Sequence, residues 1–315
     1  MNALVWRLHR NQAYIAGAAL AALGALLLIT GITMTHDYHA FLASCAAERS
    51  CGHAGQLFAG DRAVTSLVDA TMAAPLLLGM FWGAPLLARE FEDGTHNLAW
   101  TQGVIRIRWL NHTVLWPMLA AAGWGAAMAA LVSWWRGPEN AVAAPVRLAT
   151  FTFDIQGIAP VAYAVFAVAL GIAAGALFRR VLPAMAATFT VFTGLRFLIA
   201  EYVRPHYLTP VSRSYPPFSD NAAPHGSLVL SNATLGPDGK DYTAGLGIQQ
   251  VPAACRGKAA GQLNSCLASQ GFHTQILYQP ASRFWTFQGI EAGLFIVLAA
   301  TLVAVAYRMV LARDA

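Results

Sequence analysis

The chain has 315 residues, of which 57% are hydrophobic and 11% charged, and its mean hydropathy is +0.50. Soluble domains carry roughly 25% charged residues, so this composition excludes an ordinary water-soluble fold and describes a membrane protein. The formal net charge of +5 comes almost wholly from arginine, since the only lysines are Lys240 and Lys258; most arginines flank apolar runs, which suits topology and not the clustered basic face of a nucleic-acid binder.

A helical span needs about 20 apolar residues. In chain order, the apolar runs predict spans over 13–33, 67–88, 113–135, 158–178, 181–202 and 287–309. Arg7, His9 and Arg10 make a thin signal-peptide flank and no A-x-A site follows the first run, so that run is expected to remain as a span. The expected fold is an all-α membrane protein with three parts. Residues 1–202 hold an N-terminal amphipathic helix and spans one to five, 203–285 an extracytoplasmic cap, and 286–315 span six with a cytoplasmic tail.

Six spans place both termini on one side. If that side is inside, its short segments hold Arg7, Arg10, Arg89, Arg106, Arg108, Arg179, Arg180, Arg308 and Arg313. Those nine of the 20 basic residues crowd into about 50 positions, and the rest spread over about 140, so the positive-inside rule makes the termini cytoplasmic. The Ala- and Arg-heavy composition fits a bacterial plasma membrane.

This topology puts all four cysteines in an oxidising compartment: Cys45 and Cys51 in the first outer loop, Cys255 and Cys266 in the cap. Local pairing, Cys45 with Cys51 and Cys255 with Cys266, is the simplest of three connectivities, and sequence leaves the other two open. A metal site built from His36, Asp37, His39, Cys45, Cys51 and His53 is the rival reading of the first loop. Its spacing matches no zinc pattern, so no metal is expected. The cap is rich in Pro, Gly, Ser and Asn with short β-like runs, SLVLSN and TQILYQ, and is expected to be loop-rich and stapled by a disulfide.

Ionisable residues at membrane depth are costly and informative. Asp69 falls near the outer end of span two, Asp154 just before span four, Arg196 in span five and Glu291 in span six. Arg196 and Glu291 lie at similar depth, which predicts an intramembrane ion pair joining spans five and six near the outer face. Small residues crowd the first and third runs, as in GAALAALGALL and AAAGWGAAMAALVSWW, and predict close packing there.

Between spans two and three stands the polar segment REFEDGTHNLAWTQGVIRIRW, residues 89–109. Arg89, Glu90, Glu92 and Asp93 extend span two as a helix with wetted faces, Gly94 ends it in a left-handed cap, and Thr95 opens the next short helix. Such a segment suits docking of a soluble partner, with a solvated loop as the plain alternative.

The stretch APLLAREFEDGTHNLAWTQGVIRIRWL is similar to the inner loop of type-2 ABC exporter permeases, where a Glu-x-x-x-Gly-Thr pattern precedes a Leu-rich helix; Glu90, Gly94 and Thr95 stand at that pattern. The hairpin FDIQGIAPVAYAVFAVALGIAAGALFRRVLPAMAATF and the late WTFQGIEAGLF resemble the actinobacterial branch of the same family. The resemblance implies one half of an export channel, completed by a second copy or a sibling. Each half rests on a separate ATPase subunit that holds ATP and Mg, and the inner segment serves as the coupling helix. It also implies that ALVWRLHRNQ lies along the inner face with Val5, Trp6 and Leu8 toward lipid.

The chain has no GxxxxGK[ST] motif, no HExxH and no GxSxG, so it is expected to be a transport subunit rather than an enzyme and to bind no cofactor itself. Family analogy implies a hydrophobic or amphipathic cargo such as an antibiotic, peptide or lipid. The alternative reading is a non-transporting membrane receptor or scaffold with the cap as a sensor.

Overall fold

The computed structural model describes residues 2–48, 62–94, 106–142, 146–217, 223–243 and 251–313. It resolves into two compact units: Met1–Ala143 with Thr150–Ala200 and Trp285–Ala315, and Ala144–Ala149 with Glu201–Phe284.

Six helices are long and apolar enough to cross a membrane: Tyr14–Ser44, Ala63–Glu92, Ile107–Trp135, Ala159–Phe178, Val181–His206 and Ala281–Ala312. They are called spans one to six below. Span four is the hub, with 78% of its most apolar window buried against 17–33% for the other five. At 20 residues it is about 30 Å long, the thickness of the hydrocarbon core.

Span one belongs to a single helix, Asn2–Glu48, of 47 residues. This corrects two expectations. The amphipathic segment at the N-terminus is continuous with the span, and His36, Asp37 and His39 lie on the helix rather than in a loop. The reason is local: no proline or glycine occurs from Asn2 to Ala16 or from Ile32 to Glu48. The pairing expected of Cys45 with Cys51 falls outside the residues whose side chains are described. Among the described residues there is no cluster of His, Cys, Asp or Glu suited to a metal.

Span two is interrupted. A 3-10 turn at Thr71–Ala73 precedes Pro75, and a π-helical turn at Gly79–Gly83 precedes Pro85. Proline lacks the N–H that would close the α-helical ring to the fourth residue before it, so each proline loosens the turn ahead of it. The wide turn carries Gly79 and Gly83 to the backbone of span four at Ala167, Val168 and Gly171, and one turn on, Gly175 meets Ala84 and Ala88. A Cβ on Gly171 would stand 2.4 Å from the Gly79 oxygen and 2.5 Å from the Ala84 nitrogen, while one on Gly83 would stand 2.7 Å from the Val168 oxygen. Two facing Gly-x-x-x-Gly pairs thus bring two backbones into direct contact.

The close packing expected of spans one and three is found at Gly31, where a Cβ would stand 2.6 Å from the Trp134 ring, and at Gly24, 3.6 Å from Leu131, with the Trp124 and Trp135 indoles donating to Ala16 and Thr30, but not along the whole of both spans. Gly17 and Gly123 have open space around them, and Gly125, near Val161 and Ala164, is the glycine of span three that touches span four.

The second unit is not simply loop-rich. Three antiparallel strands, β1 (Val211–Tyr215), β2 (Leu228–Leu235) and β3 (His273–Gln279), form a sheet in the order β1-β3-β2. The central strand buries alternate side chains, Thr274, Ile276 and Tyr278, as a period of two requires. SLVLSN and TQILYQ are β2 and β3; β1, with Arg213 and two serines in five residues, had too little apolar pattern to be seen. Beside the sheet, Cys255 is bonded to Cys266 of the helix Ala260–Ser269 and packs with Leu267 and Phe272.

That bridge closes a loop of 11 residues. Changing both cysteines to serine is expected to destabilise this unit by about 2–3 kcal/mol. Tryptic cleavage after Arg256 and Lys258, followed over time on the full chain in detergent, should speed up at least tenfold.

Candidate functional site

The polar residues of the membrane unit gather at its two ends. Toward one end, Arg196 of span five lays its guanidinium against the Asp154 carboxylate and 3.6 Å from Oε1 of Glu291 on span six. The side chains of Asp154 and Glu291 are 1% and 0% exposed, and that of Arg196 is 11% exposed. The Tyr163 hydroxyl of span four donates to Glu291 Oε1 at 2.6 Å, and the Arg196 guanidinium stacks 3.5 Å above the Tyr163 ring. Phe295 closes the cluster, edge-on to Tyr163 at 4.9 Å and to Phe166 at 5.0 Å.

The geometry brings Arg196 and Glu291 together, but in a triad. Asp154 is the nearer carboxylate, and the sequence reading had left it outside the pair. A guanidinium spreads its donors over a fixed planar fork, so one arginine can address two acids on different elements at once. Tyr163 was missed as well. It sits within an otherwise apolar run, and a lone phenol there is weak evidence of a polar partner.

One turn before Glu291, Gln288 does a second job. Its Oε1 accepts from the backbone N–H groups of Ile158 (3.0 Å) and Ala159 (2.7 Å), and its Nε2 donates to the Phe153 carbonyl (3.0 Å). A helix start leaves its first N–H groups unpaired; here a side chain from span six caps span four. Gly157, at φ +76°, has the Gln288 amide 2.7 Å from where a Cβ would stand. Span six is thereby locked to the start of span four by both Gln288 and Glu291, which are three residues apart and share one helix face.

A separate ion cluster stands near the same end. Arg136, 5% exposed, holds Asp69 Oδ1 at 2.5 Å and Glu139 Oε2 at 2.9 Å, so the acid noted in span two finds its partner at the end of span three.

At the opposite end, span two finishes at Glu92, with Asp93 as C-cap and Gly94 in the left-handed region at φ +69°. Glu92 is exposed, yet its Oε2 accepts the Val181 backbone N–H at 3.0 Å, at the first turn of span five. Beside it, Arg179 ends span four in a left-handed conformation (φ 54°) and places its guanidinium 4.9 Å over the Phe91 ring. Glu92 is thus a cap for span five as well as a wetted side chain, which the loop reading had not anticipated. Arg89 is exposed and Glu90 partly so; Thr95 lies outside the described residues.

Six spans, a polar segment after the second and a hairpin of spans four and five pinned to that segment are the setting for the family comparison. Residues 17–204 match the family described as ABC-2 membrane transporter related. The chain belongs to this family. No curated protein and no solved structure matches it. The matched residues include Glu92, Asp154, Tyr163 and Arg196, whereas Gln288 and Glu291 lie beyond them. As an ABC-2 type permease, the chain is a multi-pass membrane component of an ABC transporter, a role that goes with an ATPase subunit.

Proposed function

We propose that the chain is the membrane half of an ATP-driven exporter whose motor is a separate ATPase, carrying ATP and Mg, docked at the end of the membrane unit that holds Arg89, Glu90, Glu92, Asp93, Gly94 and Thr95. That end is cytoplasmic, together with both termini, by the weight of arginine in its short segments. A second copy or a sibling completes the pathway. The cargo is a hydrophobic or amphipathic compound, and the cap faces the outside of a bacterial plasma membrane.

The observation that supports coupling is the bond from Val181 N–H to Glu92. A push on the segment after span two reaches span five through that bond, and span four through the contact of Gly79, Gly83, Ala84 and Ala88 with Gly171 and Gly175. Arg196, Asp154 and Glu291 then lie where spans five and six must hold together at the far end, as a latch on the outer side. No observation favours the receptor reading over this one.

Co-purification from native membranes tests the proposal. Wild type is expected to bring down a nucleotide-hydrolysing subunit, and Glu90→Lys with Asp93→Lys to lose it by reversing the docking charge. Glu92→Gln is expected to retain the subunit while transport falls more than tenfold, because the cap is weakened and the surface is not. A wild-type preparation with no ATPase under gentle detergent overturns the reading.

A further inference from the structure

Spans one, two, three and five enclose a cavity of about 900 Å³ in the membrane unit. Its wall follows span two from Leu67 to Arg89, 22 residues apart, which is about 33 Å along a helix and close to the full hydrocarbon thickness. Almost every wall residue is apolar. Ile15, Leu77 and Phe81 are 72%, 50% and 56% exposed, so the cavity opens sideways toward lipid.

Two features break its apolar character. Arg89 stands at the end of the wall, and its guanidinium pairs with no carboxylate among the described residues. Two helical turns deeper, the indole N–H of Trp82 is buried and finds no acceptor. An occupant that fits the whole cavity has a long apolar body along span two and an anionic head at the membrane surface beside Arg89. A second copy of the chain, presenting another apolar helix, would leave the Arg89 cation unmet.

We propose that this cavity binds one anionic membrane phospholipid, entering sideways from the leaflet on the Arg89 side, with its phosphate on Arg89 and its acyl chains along span two. A cation beside an anionic headgroup gives about a fivefold preference over a zwitterionic one. The site shares Arg89 with the end proposed to receive the ATPase, but it is read on the purified chain alone, so its failure and the failure of that docking are distinguishable.

The test uses the full purified chain in phosphatidylcholine nanodiscs doped with a trace of phosphatidylglycerol carrying a photoreactive acyl chain. The same trace of photoreactive phosphatidylcholine is the comparison, and adducts are mapped by mass spectrometry. Adducts along Leu77 to Trp82 are expected to be about fivefold stronger with phosphatidylglycerol. Arg89→Gln should abolish that preference while leaving total labelling intact. Ala19→Trp, on the exposed side of the wall, should block labelling by both lipids without touching the core. Equal labelling by the two lipids overturns the anionic site, and labelling that survives Ala19→Trp means ordinary surrounding lipid. Efficient disulfide cross-linking between copies through Leu77→Cys, with no lipid adduct, means that a second copy fills the groove, and it overturns the proposal equally.

Discussion

Gly171→Ala is expected to lower the apparent melting temperature of the full chain in detergent by about 5–10 °C, although alanine is the better helix former by about 1 kcal/mol. The added Cβ would meet three backbone atoms, the Gly79 oxygen, the Ala84 nitrogen and the Gly83 carbonyl carbon, at 2.4, 2.5 and 2.7 Å. No rotamer change relieves a clash with backbone, so spans two and four must separate and lose contact along their length. Overpacking of this kind costs about 1–3 kcal/mol, and more where nothing can yield. Gly293→Ala supplies the control, since its Cβ would meet nothing within 4 Å; that variant should be neutral or slightly stabilised. A Gly171→Ala protein as stable as wild type would show that the two backbones do not touch. Because the same contact carries motion from span two to span four in the proposed function, transport should fall with it.

Arg196→Leu is expected to cost about 3–5 kcal/mol, the toll of leaving buried acids without their cation. Asp154 and Glu291, 1% and 0% exposed, would face each other across an apolar side chain with the Tyr163 hydroxyl between them. The separate acid substitutions distinguish a triad from a pair. With Glu291→Gln, Arg196 keeps Asp154, the amide oxygen still accepts from Tyr163, and the loss should stay within about 1 kcal/mol. Asp154→Asn removes the nearer partner and should cost more. Combining Arg196→Leu with Asp154→Leu and Glu291→Leu is expected to recover most of the stability, since replacing a buried ionic cluster by apolar groups is often neutral. Thermal unfolding in detergent gives the ranking. If Glu291→Gln proved the most damaging of the single changes, the pair read from sequence would be the whole arrangement and Asp154 a bystander.

Much of the site could be read from residue type and depth. Arg196 and Glu291 announced themselves because a charge within an apolar run must find a partner. Asp154 and Arg136 carry the same signal but sit at span edges, where water is an equally good partner, so neither could be assigned one from sequence. Gln288 gave no signal at all: an uncharged amide at the start of a span reads as an interface residue, and its role as a cap for span four exists only because two segments 130 residues apart meet. Glu92 is similar. As part of an acidic segment it reads as solvated, and only the position of Val181 shows that it also caps the start of span five.

Composition and periodicity by themselves determined six runs long and apolar enough to cross a membrane, a polar segment after span two, and a less apolar, cysteine-bearing stretch between the last two spans. These follow from transfer free energies, which are sums over residues in order and need no knowledge of neighbours. Tertiary structure alone decided which helix is central, which glycines touch, which acids share Arg196 and which apolar wall stays open. Span four reads from sequence like any other apolar run, with a mean hydropathy of 2.3 equal to that of spans one and six. It is the hub because Gly171 and Gly175 admit the backbone of span two, and lipid tails, being as apolar as leucine, give no sequence-local reason to prefer that face.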